Sequence, residues 1–189
     1  MVILFFIGLV SKINYIEFNK NIPGGIEVNT KKLTRSGLLI ALGIIIPYFF
    51  HIFGISGRIF LPMHFSPLLG GFLVGPLYGA VIGAVLPVLN SMISGLPQMP
   101  ILAFMVFELA VFGLVAGILY KRMNLFISLI ISMFIGRIVC FIFFALFIEF
   151  TNPILYIFGG IASSLPGVIG QLLLIPAIVT VLESKYGKI

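Results

Sequence analysis

Apolar stretches of about 20 residues dominate the sequence, and this is the length that an α-helix needs to cross the hydrocarbon core of a bilayer. Hydrophobic residues make up 61% of the 189 residues, whereas charged residues make up only 8%. A soluble domain carries about 25% charged residues, so this chain cannot cover a water-facing surface. The composition therefore predicts an all-α integral membrane protein without a soluble catalytic or nucleotide-binding domain.

Glycines, prolines and charged residues interrupt the apolar sequence and divide it into six predicted spans. The spans cover approximately Leu33–Phe53, Ile59–Val74, Leu77–Ile93, Ile101–Tyr120, Leu125–Ile148 and a last region from Ser164 to Leu182. The stretch that begins at Ile154 contains Gly159-Gly160 and Pro166-Gly167, so we expect a loop or a re-entrant piece before the last span. Residues 31–189 are thus predicted to form a six-helix membrane domain.

Residues 1–30 do not fit this plan. Met1–Val10 is apolar but too short to span, and it lacks the basic start and the cleavage site of a signal peptide. Ser11–Thr30 is polar and is broken by Pro23-Gly24-Gly25. We interpret residues 1–30 as an N-terminal extension that is either peripheral or the result of a start codon assigned too far upstream.

The basic residues are distributed unevenly between the two sides of the six-span arrangement. One side carries Lys31, Lys32, Arg35, Lys121, Arg122, Lys185 and Lys188, whereas the other carries Arg58. Basic loop residues collect on the cytoplasmic side of a membrane, so both termini are predicted to be cytoplasmic. The same distribution accounts for the net charge of +6 without nucleic acid as a partner.

Motifs for enzyme chemistry are missing from the sequence. It contains no Walker A loop, no H-E-x-x-H, no G-x-S-x-G, no C-x-x-C and no aspartate. We therefore expect a protein that is not an enzyme, has no catalytic residues and no metal site, and carries no cofactor of its own.

Two charged residues lie deep within predicted spans. Glu108 is about eight residues into the fourth span and Arg137 about twelve residues into the fifth, which runs in the opposite direction. Both are thus near the middle of the membrane, where one charge costs about 2.5–3.5 kcal/mol on insertion scales. Such residues either pair with each other and hold two helices together, or contact a polar solute, and the two roles can coexist.

Other polar residues lie in or beside the spans. Five of them are candidates to line an outward-facing pocket: Arg58, His64, Asn90, Gln98 and Asn152. Gln171 is a further, deeper candidate in the last span. The alternative for each uncharged residue is a hydrogen bond between neighbouring helices.

Small residues recur at four-residue spacing on the first three spans. Gly37 and Ala41 form a face that suits docking to another helix, in a partner subunit or within the chain. A second series consists of Gly71, Gly75, Gly79 and Gly83. It predicts tight packing of the second and third spans, with a ligand or partner surface as the alternative, and Gly75-Pro76 is expected to break the helix.

The order of several motifs resembles the substrate-binding (S) subunits of energy-coupling factor (ECF) transporters, which import vitamins in bacteria and archaea. The likeness covers about Lys31–Lys188 and is carried by Lys32-Leu33-Thr34-Arg35, Ala41-Leu42-Gly43-Ile44, Phe60-Leu61-Pro62-Met63-His64, Leu69-Gly70-Gly71-Phe72-Leu73-Val74-Gly75-Pro76-Leu77-Tyr78-Gly79, Glu108-Leu109, Gly136-Arg137 and Pro166-Gly167.

This resemblance implies a multi-pass subunit of the prokaryotic plasma membrane that binds its solute from outside with high affinity. The subunit would then dock on a transmembrane coupling subunit driven by two ABC ATPases, which use the ATP. The resemblance also implies that the coupling subunit contacts Gly37 and Ala41. It places the solute among the outer residues, with Arg58, Glu108, Arg137 and Asn152 as candidates and Gln171 deeper.

The motif Phe60-Leu61-Pro62-Met63-His64 of the second span and Gly136-Arg137 look most like family members assigned to niacin or pantothenate. Both solutes are carboxylates, which can pair with Arg58 or Arg137. Riboflavin and other vitamins remain open. The main alternative is a self-sufficient small secondary permease, which is expected to contain internal repeats, and we find no convincing repeat in the sequence.

Overall fold

The structure is a computed structural model that describes residues 30–53, 57–147 and 153–186. Side chains are not described at positions 51, 57, 58, 147, 153–161 and 186. The predicted extension before Thr30, as well as Asn152 and Lys188, lies outside the described residues.

Within these ranges the chain is helical, as predicted. The elements are α1 Thr30–Ile52, α2 Gly57–Phe60, a 3-10 turn Pro62–His64, α3 Phe65–Leu73, α4 Pro76–Ser94, α5 Ile101–Tyr120, α6 Leu125–Phe147 and α7 Pro153–Tyr186. Five of the described helices are long and apolar enough to cross a membrane: α1, α4, α5, α6 and α7. The predicted loop between the third and fourth spans lies between α4 and α5.

The predicted second span, Ile59–Val74, is not one continuous helix. It consists of α2, the 3-10 turn and the nine-residue helix α3, and the backbone at Leu61 adopts a left-handed conformation with φ of 48°. Pro62 explains this break, because a proline disfavours helical conformation in the residue before it. The segment is almost fully buried from Pro62 to Val74, so the other helices surround it.

The prediction of a loop or re-entrant piece before Ser164 is wrong. Helix α7 continues from Pro153 to Tyr186 with Pro166 inside it. Prolines and glycines are tolerated in membrane helices, because neighbouring groups can satisfy the freed backbone. Gly167 lies at a close contact between backbones, since a methyl group there would lie 2.6 Å from the carbonyl oxygen of Ile59. This glycine lets α7 approach the backbone of α2.

Glycines also hold α3, α4 and α5 together at short distance. A methyl group on Gly79 would lie 2.7 Å from the carbonyl oxygen of Gly113 and 2.6 Å from the amide nitrogen of Gly71. A methyl group on Gly83 would overlap the carbonyl group of Leu109. Gly71, Gly79 and Gly83 thus face neighbouring backbone, whereas Gly75, with φ of 128°, forms the predicted break between α3 and α4.

Contacts gather the ends of several helices at one end of the bundle. The Lys32 ammonium of α1 lies 5.9 Å from the ring centre of Tyr78, which belongs to the first turn of α4. At the ends of α5 and α7, the Tyr120 hydroxyl donates a 2.7 Å hydrogen bond to Glu183. Tyr120 also packs edge-on against Phe72 at the end of α3. The C-terminal end of α3 therefore lies at the same end of the bundle as the N-terminus of α1.

Candidate functional site

Glu108 of α5 and Arg137 of α6 form an ion pair, which is one of the two arrangements that their depth in the predicted spans left open. Arg137 Nη1 lies 3.0 Å from Glu108 Oε1. The Glu108 side chain is 4% exposed, whereas that of Arg137 is 28% exposed. The contact leaves Glu108 Oε1 without a well-aligned hydrogen bond within the described part of the chain. Arg137 is therefore the more accessible member of the pair.

Close packing of α5 against α6 sets the register of this pair. Gly136 lies directly against the Phe112 ring, and a methyl group there would be 3.3 Å from the Glu108 carbonyl oxygen. Nearer the N-terminus of α5, the Phe107 and Phe143 rings stack at 4.3 Å. Gly136, the residue before Arg137, therefore allows α5 and α6 to approach each other closely.

His64 reaches the same region from the 3-10 turn. Its side chain is buried, and its ring lies 5.4 Å from the Phe112 ring. Neither ring nitrogen has a hydrogen-bond partner among the described residues. Arg137 is close enough for its charge to act on the imidazole. A buried polar group without a partner costs about 1–3 kcal/mol, so both nitrogens are available for a bound molecule at little further cost.

Gln171 of α7 lies beside the same turn. Its side-chain nitrogen donates a long 3.4 Å hydrogen bond to the Leu61 carbonyl oxygen, which also accepts a 3.1 Å bond from the backbone N–H of His64. Gln171 is fully buried, and its side-chain oxygen has no partner in the described ranges.

We use the term polar cluster for His64, Glu108, Arg137 and Gln171. These residues come from the 3-10 turn, α5, α6 and α7. The side chains of His64, Glu108 and Gln171 are buried, whereas that of Arg137 is partly exposed. Together they offer a cation, a carboxylate, an imidazole that can donate or accept, and an amide oxygen. Such a set can bind a small polar solute but contains no activated nucleophile.

Of the other predicted pocket residues, the structure describes the side chains of Asn90 and Gln98. The Asn90 side-chain nitrogen donates to the carbonyl oxygens of Gly43 at 3.2 Å and Leu86 at 3.0 Å, so it links α4 to α1. Gln98 is exposed in the loop between α4 and α5. Arg58 lies in α2, but its side chain is not described, and Asn152 is outside the described residues.

Two residues near the pair were not identified from the sequence. The Cys140 thiol is within hydrogen-bonding reach of the Glu108 carboxylate, and Phe112 separates His64 from Gly136. Helical spacing was the available signal, because Cys140 follows Arg137 by three positions and Phe112 follows Glu108 by four. No group of three His, Cys, Asp or Glu that could hold a metal ion lies within the described ranges.

The family-level comparison matches most of the chain. The model of the ECF transporter substrate-specific component matches residues 31–179. Comparison with curated proteins and with solved structures found no match. Members of the matched family are membrane-embedded transporter subunits rather than enzymes, and the five apolar helices fit a multi-pass protein of the cell membrane. The chain therefore belongs to the family of substrate-specific (S) components of ECF transporters.

Proposed function

We propose that this chain captures a small vitamin-like solute with high affinity and presents it to a transmembrane coupling subunit. Two ABC ATPases would bind the ATP, so the chain itself needs no cofactor. The observation that carries the proposal is the polar cluster, whose buried and incompletely bonded groups lie inside a member of a solute-binding family.

A carboxylate vitamin such as niacin or pantothenate is the solute class that we propose. Arg137 supports it, because a guanidinium has five N–H donors and Glu108 engages only part of them. A solute carboxylate could thus pair with Arg137 from its more exposed side. His64 and Gln171 would bind further polar atoms of the solute. Arg58 is the alternative to Arg137 as the partner of the carboxylate.

We also propose that residues 31–189 cross the membrane six times, with both termini in the cytoplasm. The interrupted segment from α2 to α3 would be the second crossing, because it ends beside the α1 N-terminal end. The contacts of Lys32 with Tyr78 and of Tyr120 with Glu183 support this arrangement. Basic residues at the same end fit the cytoplasmic side: Lys31, Lys32, Arg35, Lys121, Arg122 and Lys185.

The coupling subunit would dock on the exposed face of α1 that contains Gly37 and Ala41. Gly37 and Ala41 are exposed there, and no atom lies within 4 Å of the position that a methyl group on Gly37 would take. Small residues one helical turn apart let a partner helix approach closely. This face continues through Ile45, which is 49% exposed.

Solute binding by the purified chain tests the proposal. We expect nicotinate or pantothenate to raise the thermal stability, and Arg137→Gln to weaken binding about 100-fold, on the order of 3 kcal/mol. Arg122→Gln is the matched control, because Arg122 is exposed in the loop between α5 and α6. Unchanged affinity of Arg137→Gln would exclude Arg137 from the solute site.

A further inference from the structure

The polar cluster already balances its charge before a solute enters. Arg137 carries one positive charge and Glu108 one negative charge, and their closest atoms are 3.0 Å apart. A solute carboxylate that binds Arg137 would add a second negative charge beside Glu108. An uncompensated charge in such a setting is strongly unfavourable.

The surroundings of Glu108 provide no described second cation to balance that charge. The titratable or charged groups beside it are Arg137 and Cys140 from α6, and His64 from the 3-10 turn lies near Arg137. Helix α3 has no titratable residue, and the single one in α4, Tyr78, is in contact with Lys32 instead. In α7, Glu183 is bonded to Tyr120 at the far end of α5.

We infer that Glu108 makes the site accept its solute only in a net-neutral form, so that a carboxylate is bound together with one proton. This inference rests on the proposed function, because it takes the polar cluster as the solute site. The proton comes from water and ends between Glu108 and the solute carboxylate. The two carboxylates then carry one negative charge between them, which Arg137 balances. An uncharged analogue needs no proton.

A comparison of nicotinate with nicotinamide tests this inference, because the two differ in charge at nearly the same shape. For the unmodified protein, nicotinate affinity should fall about tenfold per pH unit between about pH 6 and pH 8, where the free acid is fully ionised. Nicotinamide affinity should not change over this range. Nicotinate affinity that is independent of pH would overturn the inference.

Glu108→Gln should remove the requirement for a proton while keeping the shape of the side chain. We expect its nicotinate affinity to be independent of pH and, at pH 8, at least about tenfold tighter than that of the unmodified protein. Glu183→Gln is the matched control, because Glu183 is another half-buried glutamate of the same bundle and lies away from the cluster. It should retain the original pH dependence. A Glu108→Gln variant with the original dependence would contradict the inference.

A second measurement does not depend on the identity of the solute. Glu108→Gln leaves the Arg137 charge uncompensated, so formate should raise the melting temperature of this variant more than that of the unmodified protein or of Glu183→Gln. Equal responses of all three proteins to formate would overturn the inference. Failure of the proposed function gives a different result, in which Arg137→Gln binds the solute as tightly as the unmodified protein.

Discussion

Arg137 and Glu108 form an ion pair whose two members differ in burial, since the carboxylate is 4% exposed and the guanidinium 28%. Arg137 can therefore meet a solute on one side while Glu108 holds it from the other. This geometry shows the structural link between helices and leaves Arg137 accessible for the proposed solute contact.

A double-mutant cycle separates these two roles. Removing either charge alone, as Glu108→Gln or Arg137→Gln, should cost on the order of 3–5 kcal/mol of stability, because the remaining charge loses its partner. The double variant should recover much of that loss. Thermal unfolding measures the structural coupling.

Solute affinity, measured on the same variants, tests whether Arg137 contacts the solute. Arg137→Gln should lose binding, and the double variant should not recover it, because the solute contact has gone. Recovery of affinity in the double variant would mean that Arg137 is only a structural residue.

Replacement of a buried glycine and of an exposed glycine by alanine should affect stability differently. Gly83→Ala should destabilise the protein by about 1–3 kcal/mol, because the new methyl group overlaps the Leu109 carbonyl group. Gly37→Ala is the control and should be neutral or slightly stabilising, since nothing lies within 4 Å of its new methyl group. Thermal unfolding of the two variants checks this. A tolerated Gly83→Ala would contradict the close approach of α4 and α5.

A bulky residue on the exposed face of α1 that contains Gly37 and Ala41 should uncouple solute binding from transport. We expect Ala41→Phe to reduce uptake by the assembled transporter without changing solute affinity, because the coupling subunit could no longer approach closely. Ala145→Phe is the matched control, since Ala145 is an exposed alanine of α6. Equal loss of uptake in both variants would contradict a specific docking face on α1.

Transport by the isolated chain distinguishes the S component from the permease alternative. Reconstituted alone in sealed vesicles, the chain should bind the solute but should not accumulate it, because it contains no ATP-binding motif. Radiolabelled uptake measures this directly. Accumulation without the coupling subunit and the ATPases would favour a self-sufficient permease.

Reporter fusions test the proposed orientation. Reporters placed in the loop at Lys121-Arg122 and after Lys188 should both indicate the cytoplasm, because basic residues of multi-pass proteins collect there. An external signal from either position would exclude the six-crossing arrangement.

The amino-acid sequence by itself determined the long helices and the two charges within them. The apolar lengths of Ile101–Tyr120 and Leu125–Phe147 leave a lipid-embedded helix as the stable structure, because backbone groups in lipid must bond within their own segment. Counting along those helices places Glu108 and Arg137 at similar depth. Their meeting followed from the cost of leaving either charge alone.

Only the tertiary structure decided how the proline and glycine signals were used. Pro62 breaks the second segment, whereas Pro166 lies inside a continuous α7. The local signal is similar at both places, and the outcome depends on which neighbours satisfy and approach the backbone. The contact of Gln171 with Leu61 likewise joins residues 110 positions apart, and local spacing carries no information about such a contact. Gln171 bonds to the same Leu61 carbonyl oxygen as His64, and Arg137 meets Glu108, only because separate elements pack against one another.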